Sequence, residues 1–551
     1  MTASTYESTS PAIPVGQHPA RETLVGLGTM VRFVLRRNRI RLLVWWLVIV
    51  GLFAYVLVYY RDIFTSQSAL DDFAAVSNVP SIKALTGLAA APNTMGGAVW
   101  TKIWMTCALL LAFGVVFLVT RNGRADEEAG RTELLRSRML GMHAYTVATW
   151  IVCGALSVAV GIGVAAVSIG GGLDPAGSGI TGSVILGASI TGVGLVGLAV
   201  SALAGQVMTT SRAANALAST VLGVFYMLRM VGDLGDGRLT WASPIGWGQE
   251  MQPWGANRWW PFALMLVLTA ILLAAASTVE SRRDLGAGVV SERAGRADAP
   301  ARYAKPLGLA LRMERGPVIG WTLTIALSAL LFGSVIDAMS TLMEDASDSV
   351  AAIMRGTGVD ALLSMLITMI AMITTVFAIQ TSLTLRGDET RGIIEPQLAG
   401  AVSRVNWALQ RLLIPMVGSA VLLVIGGGLI GVSYGATIGQ SGQALTLALA
   451  ALAYWPAVMV FVGITVALFG WLPRLSIALS WGLLAAMWIV VIVGDALRLP
   501  AWLLDLLPFS ATPYQPLDPM SLPPVIVMTA VAGLLCWLGL ARFARRDVQT
   551  G

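Results

Sequence analysis

The sequence predicts an all-α polytopic membrane protein with twelve membrane-spanning helices, arranged as two six-helix parallel repeats. Three observations predict it: the composition, the succession of long apolar stretches and an internal repeat. Of the 551 residues, 56% are hydrophobic and 12% are charged, whereas soluble proteins carry about 25% charged residues. This composition excludes a soluble enzyme, a disordered chain and a nucleic-acid-binding protein.

Twelve stretches are long and apolar enough to cross a bilayer, which takes about 20 residues. The first long apolar run begins at Ile40, so we expect no cleavable signal peptide. The predicted spans are residues 42–60, 100–120, 144–169, 182–206, 213–232, 260–279, 317–337, 362–385, 406–434, 443–471, 475–496 and 523–541.

The arginine distribution predicts that both termini are cytoplasmic. With the N-terminus inside, the cytoplasmic segments hold 28 of the 36 lysines and arginines, as the positive-inside rule requires. Cytoplasmic arginine also explains the net charge of +6 without a nucleic acid partner. Arginine far exceeds lysine, and alanine and glycine are abundant, which is typical of a high-GC bacterial genome. We therefore expect a multi-pass protein of the bacterial cell membrane.

The second half of the chain repeats the first. A shift of 262 residues aligns residues 124–133 with 386–395, which we call the first and the second acidic loop. The same shift aligns residues 231–233 with 493–495, and Arg212 with Arg474. A shift of 276 aligns Leu35, Arg36, Arg39 and Trp45 with Leu311, Arg312, Arg315 and Trp321. Matches in this order predict two six-span halves about an axis along the membrane normal, with the substrate path between them.

The acidic loops carry the candidate coupling residues. A solvated helix start, where the helix dipole favours carboxylates, is the alternative interpretation. Because both halves keep the same spacing, we favour two copies of one docking surface, for two copies of a soluble partner. The candidates are Asp126, Glu127, Glu128, Gly130, Arg131 and Glu133 in the first loop, and Asp388, Glu389, Gly392 and Glu395 in the second.

The Arg-x-Asp-Glu-x-x-Gly-x-x-Glu pattern of the acidic loops resembles the coupling-helix region of ABC-2 type permeases. Over about residues 24–546 the chain is similar to permeases of actinobacterial tetronasin or polyketide-antibiotic exporters, including mycobacterial multidrug-efflux members. The resemblance implies the type V (ABC-2) exporter fold. It also implies the membrane subunit of an ATP-driven exporter of bulky apolar or amphipathic compounds, such as antibiotics, drugs or lipids. Two copies of a soluble ABC ATPase would dock at Glu133 and Glu395, although the second loop departs from the pattern at residues 393–396.

The resemblance further implies an amphipathic connecting helix before each half. Residues 24–41 fit this, with Leu24, Leu27, Val31 and Leu35 opposite Arg32, Arg36 and Arg39. The predicted parts are the cytoplasmic N-terminus with a connecting helix (1–41), the first six-helix half (42–280), the cytoplasmic linker with a second connecting helix (281–315), the second half (316–541) and the cytoplasmic tail (542–551).

No Gly-x-x-x-x-Gly-Lys-Ser/Thr pattern occurs in the sequence, so we expect no phosphate-binding loop here. The chain is therefore predicted not to be an enzyme, and ATP and magnesium would bind to the partner ATPase. The two histidines lie far apart and the three cysteines lie in apolar runs, so we expect no metal site.

In the resembled family the second and fifth helices of each half line the central cavity, which here means spans 2, 5, 8 and 11. Methionine side chains adapt to varied apolar shapes, although packing within a helix bundle is the alternative. The candidate substrate-path residues are Trp104, Phe113, Phe117, Phe225, Tyr226, Met365, Met369, Met372, Phe377 and Trp488. Candidates for an outer gate are Asp233, Pro244, Asp495 and Pro508, with water-facing helix ends as the alternative for both aspartates.

Two other functions remain open from the sequence. An ion-coupled multidrug transporter of two six-helix halves usually carries Gly-x-x-x-Asp-Arg/Lys after its second span, which this chain lacks. A membrane enzyme would depend on the paired outer aspartates alone. A neighbouring gene for a Walker-motif ATPase would favour the exporter over both.

Overall fold

The fold is all-helical and divides into two units, residues 1–294 and residues 295–551. The structure is a computed structural model that describes part of the chain. The described residues are 23–77, 86–88, 90–137, 140–175, 179–290, 298, 300, 303, 305–344, 359–400, 402–440, 442–493 and 507–548.

Long helices in unit 1 alternate with short ones at their ends. They are α1 (Leu27–Ile63), α2 (Gln67–Ser77), α3 (Met95–Arg121), α4 (Arg124–Glu128), α5 (Arg131–Arg136), α6 (Ala144–Gly170), α7 (Thr181–Val207), α8 (Ser211–Leu234), α9 (Pro244–Glu250) and α10 (Trp260–Arg282), with a 3-10 turn at Leu239–Ala242.

The same alternation is found in unit 2. Its helices are α11 (Pro306–Glu344), α12 (Val359–Ser382), α13 (Thr384–Thr390), α14 (Ile394–Leu398), α15 (Arg404–Ile438), α16 (Gln443–Leu452), α17 (Trp455–Trp471), α18 (Ser476–Val493), α19 (Pro508–Ala511) and α20 (Leu522–Arg545).

Ten helical segments within the described residues are long and apolar enough to cross a membrane. A multi-pass, all-helical membrane protein is thereby confirmed. The other two predicted spans, 317–337 and 475–496, fall within α11 and α18, and each includes side chains outside the described set. The count of twelve stays a prediction.

The predicted connecting helix of the first half and the first span form one continuous helix, α1. Its inward face carries Met30 and Val34, which pack against Tyr145 and Ala148 of α6. Leu35 of the predicted apolar stripe is 49% exposed and lies outside this packed face. The reason is that packing on α6 selects the neighbouring face of the helix.

Helices α1 and α3 run antiparallel. The Asn38 side chain donates to Asn122 Oδ1 at 2.9 Å, and the Trp45 ring lies against Gly114 further along both helices. Since residue numbers rise along one helix as they fall along the other, Arg41 lies close to the end of α3 at Arg121. This register brings arginines of α1 and α3 together.

Glycines allow close helix packing in both units. A Cβ at Gly187 of α7 would lie 2.3 Å from the Gly161 carbonyl oxygen of α6, and a Cβ at Gly539 of α20 would lie 2.3 Å from the Val466 oxygen of α17. Small residues are typical where membrane helices pack backbone to backbone. The helices within each unit are therefore closely packed, and this packing keeps the charged side chains of the unit buried.

Candidate functional site: the two acidic loops

The acidic loops have the same backbone geometry in both units. In each, a short helix carrying the Asp-Glu pair is followed, two residues after its end, by a glycine in the left-handed region, with φ of 68° at Gly130 and 70° at Gly392. A second short helix follows in each unit, α5 in one and α14 in the other. The repeat inferred from the sequence is therefore also a repeat of structure at the loops.

Replacing Gly130 or Gly392 by alanine is expected to destabilise its loop by about 1–2 kcal/mol, because an L-residue in the left-handed region is strained. Space is not the cause, since no atom lies within 4 Å of a Cβ built at either glycine. Gly387 of α13 is the control, because it too has nothing within 4 Å and its φ is not positive. G387A should stabilise helix α13 by about 0.5–1 kcal/mol. Thermal unfolding of the purified chain measures all three, and equal effects would contradict the prediction.

The glutamate of each Asp-Glu pair is held inside its own unit by two arginines. Glu127 accepts from Arg124 at 2.7 Å and from Arg283 at 2.6 Å. Arg124 also donates to the Thr209, Gly286 and Ala287 carbonyl oxygens at 2.6–2.9 Å. Because a buried ion pair needs further hydrogen bonds to offset its desolvation, these carbonyls are part of the site.

The second unit repeats this arrangement around Glu389. Arg386 donates to it at 3.0 Å, and Arg546 holds both carboxylate oxygens, at 2.5 and 2.9 Å. The Arg546 guanidinium also lies 4.9 Å from the Phe469 ring centroid. A bidentate arginine on a fully buried carboxylate is a strong, geometrically specific contact.

Sequence reasoning missed the two arginines that close these pairs. Arg283 and Arg546 stand at equivalent places, each as the residue that caps the last long helix of its unit. A signal was present: Arg-Arg-Asp occurs at residues 282–284 and again at 545–547, a shift of 263. Each acidic loop is thus bonded to the end of the last helix of its unit.

The aspartate of each pair is also buried, but its arginine comes from a different helix in each unit. Asp126 accepts from Arg37 of α1 at 2.5 and 2.9 Å, from Arg131 at 2.7 Å and from the Tyr145 hydroxyl at 2.6 Å. The distant cation is supplied by the first helix of the unit.

In unit 2, Asp388 is paired with Arg411 of α15. The 276 and 262 shifts place Met313 where unit 1 has Arg37, and Arg411 where unit 1 has Thr149. The Arg411 guanidinium also lies 3.8 Å from the Met313 sulfur. The aspartate at the matched loop position is therefore neutralised by α1, before the loop, in unit 1 and by α15, after the loop, in unit 2.

The remaining acids of the two loops lie at the surface. Glu128 caps helix α8 by accepting from the Ser211 backbone N–H at 2.7 Å and from its hydroxyl. Glu133 and Glu395 are exposed in both loops. Of the predicted coupling acids, the Asp-Glu pairs thus face inward, whereas this matched pair of glutamates faces outward.

The predicted substrate-path residues differ in burial, and they range from the cores of the units to their surfaces. Trp104 is 1% exposed, donates to Ser189 Oγ at 2.9 Å and stacks on Trp100. Met372 and Phe377 are likewise in the core of unit 2. Exposed apolar positions are Phe117 on α3 and Met365 and Met369 on α12. Half-buried positions are Phe113, Phe225, Tyr226 and Trp488.

Asp233 does not face water, so that interpretation of it was wrong. It is 8% exposed and accepts from Arg229 at 3.2 Å, Thr240 at 2.8 Å and Gln249 at 3.1 Å. The fully buried Arg229 was missed by sequence reasoning, although its i, i+4 spacing to an aspartate within an apolar span is a usable signal.

The other outer-gate candidates begin short helices or fall outside the description. Pro244 is the first residue of α9, capped by Ser243, and Pro508 is the first residue of α19. Asp495 lies outside the described residues. Within the described part of the chain, no group of three or more His, Cys, Asp or Glu could hold a metal ion.

Comparison with known proteins gives two matches. Residues 303–544 match the family described as "Multidrug efflux system permease Rv1217c, C-terminal domain". Over 530 residues the chain is 34% identical to the Multidrug efflux system permease protein Rv1217c of Mycobacterium tuberculosis (strain ATCC 25618 / H37Rv), covering 94% of this chain and 95% of that protein.

The chain belongs to this multidrug efflux permease family. Its resemblance to mycobacterial multidrug-efflux permeases is thereby confirmed. The match covers 94% of the chain and therefore includes both units and both acidic loops. The chain is a multi-pass membrane protein of a transport family.

Proposed function

We propose that the chain is the membrane subunit of an ATP-driven exporter with a type V (ABC-2) fold, which moves bulky apolar or amphipathic compounds out of the cell. A separate soluble ABC ATPase, in two copies, would bind ATP and magnesium and supply the energy. Both termini and both acidic loops would be cytoplasmic. The single observation that carries the proposal is the duplicated loop with an outward glutamate at the same position in each copy, Glu133 and Glu395.

The division of the loop carboxylates supports a docking role. A buried, doubly paired acid such as Asp126 has its charge neutralised within the chain, so it has little left to offer a partner. An exposed acid one turn beyond a left-handed glycine has no such constraint. Since this exposed glutamate stands at the same offset in both units, two copies of one basic partner surface would fit.

The buried acids of the two Asp-Glu pairs connect each loop to a long helix of its unit, and we propose that motion is transmitted through these connections. Glu127 is bonded to Arg283 at the end of α10, and Glu389 to Arg546 at the end of α20. A force applied at the outward glutamates would pass through these ion pairs into the last helix of each unit. It would also pass into α3 and α12, which lead directly into the loops.

The exposed apolar faces of α3 and α12 are the proposed substrate surfaces. On α12, Met365 and Met369 lie one turn apart on the exposed face, and on α3 Phe117 is exposed. Flexible methionines accommodate many apolar shapes, which suits a multidrug substrate range. The buried Trp104 and Phe377 would instead shape this surface from within each unit.

The experiment is the double variant E133Q/E395Q, reconstituted with the ATPase subunit. If each glutamate makes a charge-assisted bond to the ATPase, each loss costs about 1.5–3 kcal/mol, and 1.4 kcal/mol corresponds to a tenfold change. We expect the double variant to lose most transport and substrate-stimulated ATP hydrolysis, with either single variant intermediate. The purified chain alone should hydrolyse no ATP.

The matched control is E128Q, which removes another exposed acid from the same loop. Its bonds go to Ser211 of this chain, so we expect transport close to that of the unmodified complex. Full transport by the double variant in an intact complex would contradict the coupling role. ATP hydrolysis by the chain alone, or transport driven by an ion gradient without ATPase, would contradict the proposed function itself.

A further inference from the structure

Four arginines gather where α1 passes the end of α3 in unit 1. Arg37 and Arg131 both bond to Asp126, as described above. Arg121 lies within electrostatic range of Arg37, Arg41 and Arg131. The antiparallel register of α1 and α3 places Arg41 beside the exposed Arg121. The cluster therefore has four positive charges around one carboxylate.

Unit 2 has none of these four arginines. The 276 shift replaces Arg37 and Arg41 by Met313 and Pro317, and the 262 shift replaces Arg121 and Arg131 by Leu383 and Ile393. The fold of the second acidic loop is nevertheless the same, with its left-handed glycine and its buried Asp-Glu pair. Each loop needs one cation for its buried aspartate, which Arg37 supplies in unit 1 and Arg411 in unit 2. The other three positive charges of unit 1 therefore need another explanation.

Arg41, Arg121 and Arg131 are all exposed, and Arg131 bonds to Asp126, which makes Arg41 and Arg121 the exposed arginines of the cluster outside the bonds to Asp126. Asp126 already accepts two bonds from Arg37 and one from Arg131, so its charge is shared among the other two cations. Like charges held together in this way repel one another unless an anion lies between them. The arrangement favours an anionic ligand with several oxygen acceptors.

Arg41 also marks the edge of an exposed apolar surface. Immediately beyond it along α1, Leu43, Val44 and Leu47 have exposed fractions of 50–56%. Apolar surface on one side and guanidinium groups on the other are what the boundary between acyl chains and headgroups requires.

We propose that Arg41 and Arg121, supported by Arg37 and Arg131, form a binding site for the headgroup of an anionic phospholipid. Guanidinium groups bind phosphate oxygens through paired N–H donors, and the apolar stretch that follows Arg41 accommodates the acyl chains. A carboxylate surface of a soluble protein would match the charge but not this apolar surface. The site exists only in unit 1, and it does not depend on the proposed ATPase coupling.

Native mass spectrometry of the purified full-length chain tests the site, with phosphatidylglycerol and phosphatidylcholine of equal chain length as probes. The unmodified chain should retain phosphatidylglycerol preferentially, and the preference should decline as salt is raised. R41Q/R121Q should weaken phosphatidylglycerol binding about thirtyfold, which corresponds to about 2 kcal/mol. R36Q/R39Q is the control, because it removes two exposed arginines from another face of α1 and should change binding less than about threefold.

Equal retention of the two lipids by the unmodified chain would overturn the proposal, and this measurement needs no variant. So would unchanged phosphatidylglycerol binding in R41Q/R121Q. Displacement of the lipid by millimolar inorganic phosphate would identify a free-anion site instead. If R41Q/R121Q kept its lipid but no longer bound the ATPase subunit, the cluster would be a protein-docking surface and the lipid assignment would be wrong.

Discussion

Replacing Glu389 by glutamine is expected to lower the free energy of unfolding by about 3–5 kcal/mol, because the change removes the buried carboxylate charge to which Arg386 and Arg546 both bond. The Glu389 side chain is fully buried, and the side chains of Arg386 and Arg546 are 11% and 7% exposed. Glutamine preserves the size of the side chain, so a cavity does not contribute. The apparent melting temperature of the purified chain measures the effect.

E395Q is the matched control, since it makes the same chemical change six residues later in the same loop. Glu395 is exposed, and surface substitutions change stability by no more than about 0.5 kcal/mol. The two variants should therefore differ: E389Q loses stability, whereas E395Q keeps stability and loses part of the coupling to the ATPase. A stable E389Q, or an equally unstable E395Q, would show that the inward and outward acids do not have these different roles.

The second large effect concerns the aspartate of the same loop. Arg411→Thr should destabilise unit 2 by about 3–5 kcal/mol, because Asp388 then stays buried without its cation. Adding Met313→Arg should recover a large part of this loss. The double variant rebuilds the arrangement of unit 1, in which the first helix supplies the arginine, and the 3.8 Å contact between Arg411 and the Met313 sulfur shows that position 313 is within reach.

The single variant M313R completes the double-mutant cycle. On its own it places a second cation beside Arg411, so we expect it to be neutral or destabilising. Stabilisation only in the R411T background would give an interaction energy of the size found for residues that share a partner, about 0.5–3 kcal/mol. Equal effects of M313R in both backgrounds would mean that the introduced arginine does not reach Asp388.

Much of the loop architecture could be predicted from local sequence. Gly130 and Gly392 match under the 262-residue shift, and both adopt the left-handed conformation that glycine takes without strain. The offset of Glu133 and Glu395 was equally readable, because a repeat preserves positions along the chain. The Arg-Arg-Asp repeat that begins at residues 282 and 545 was also visible in the sequence. The motif alone does not indicate that its second arginine pairs with a loop glutamate.

The inward or outward direction of each carboxylate could not be predicted in the same way. Asp126 and Glu133 are acids of one loop with similar neighbours, yet the first is fully buried and the second is exposed. The difference is decided by α1, whose Arg37 arrives from 89 residues away in the sequence. In unit 2 a different helix supplies the cation, so even the repeat does not predict the pairing.

The sequence by itself determined the membrane class, the two-fold repeat and the positions at which each acidic loop turns and carries charge. These properties depend on composition and on spacing along one segment, which the chain carries locally. Only the tertiary structure decided which acids are neutralised within the chain and which remain at the surface, because a buried ion pair forms between groups that packing brings together. Glu389 and Arg546 are 157 residues apart in sequence and 2.5 Å apart in space.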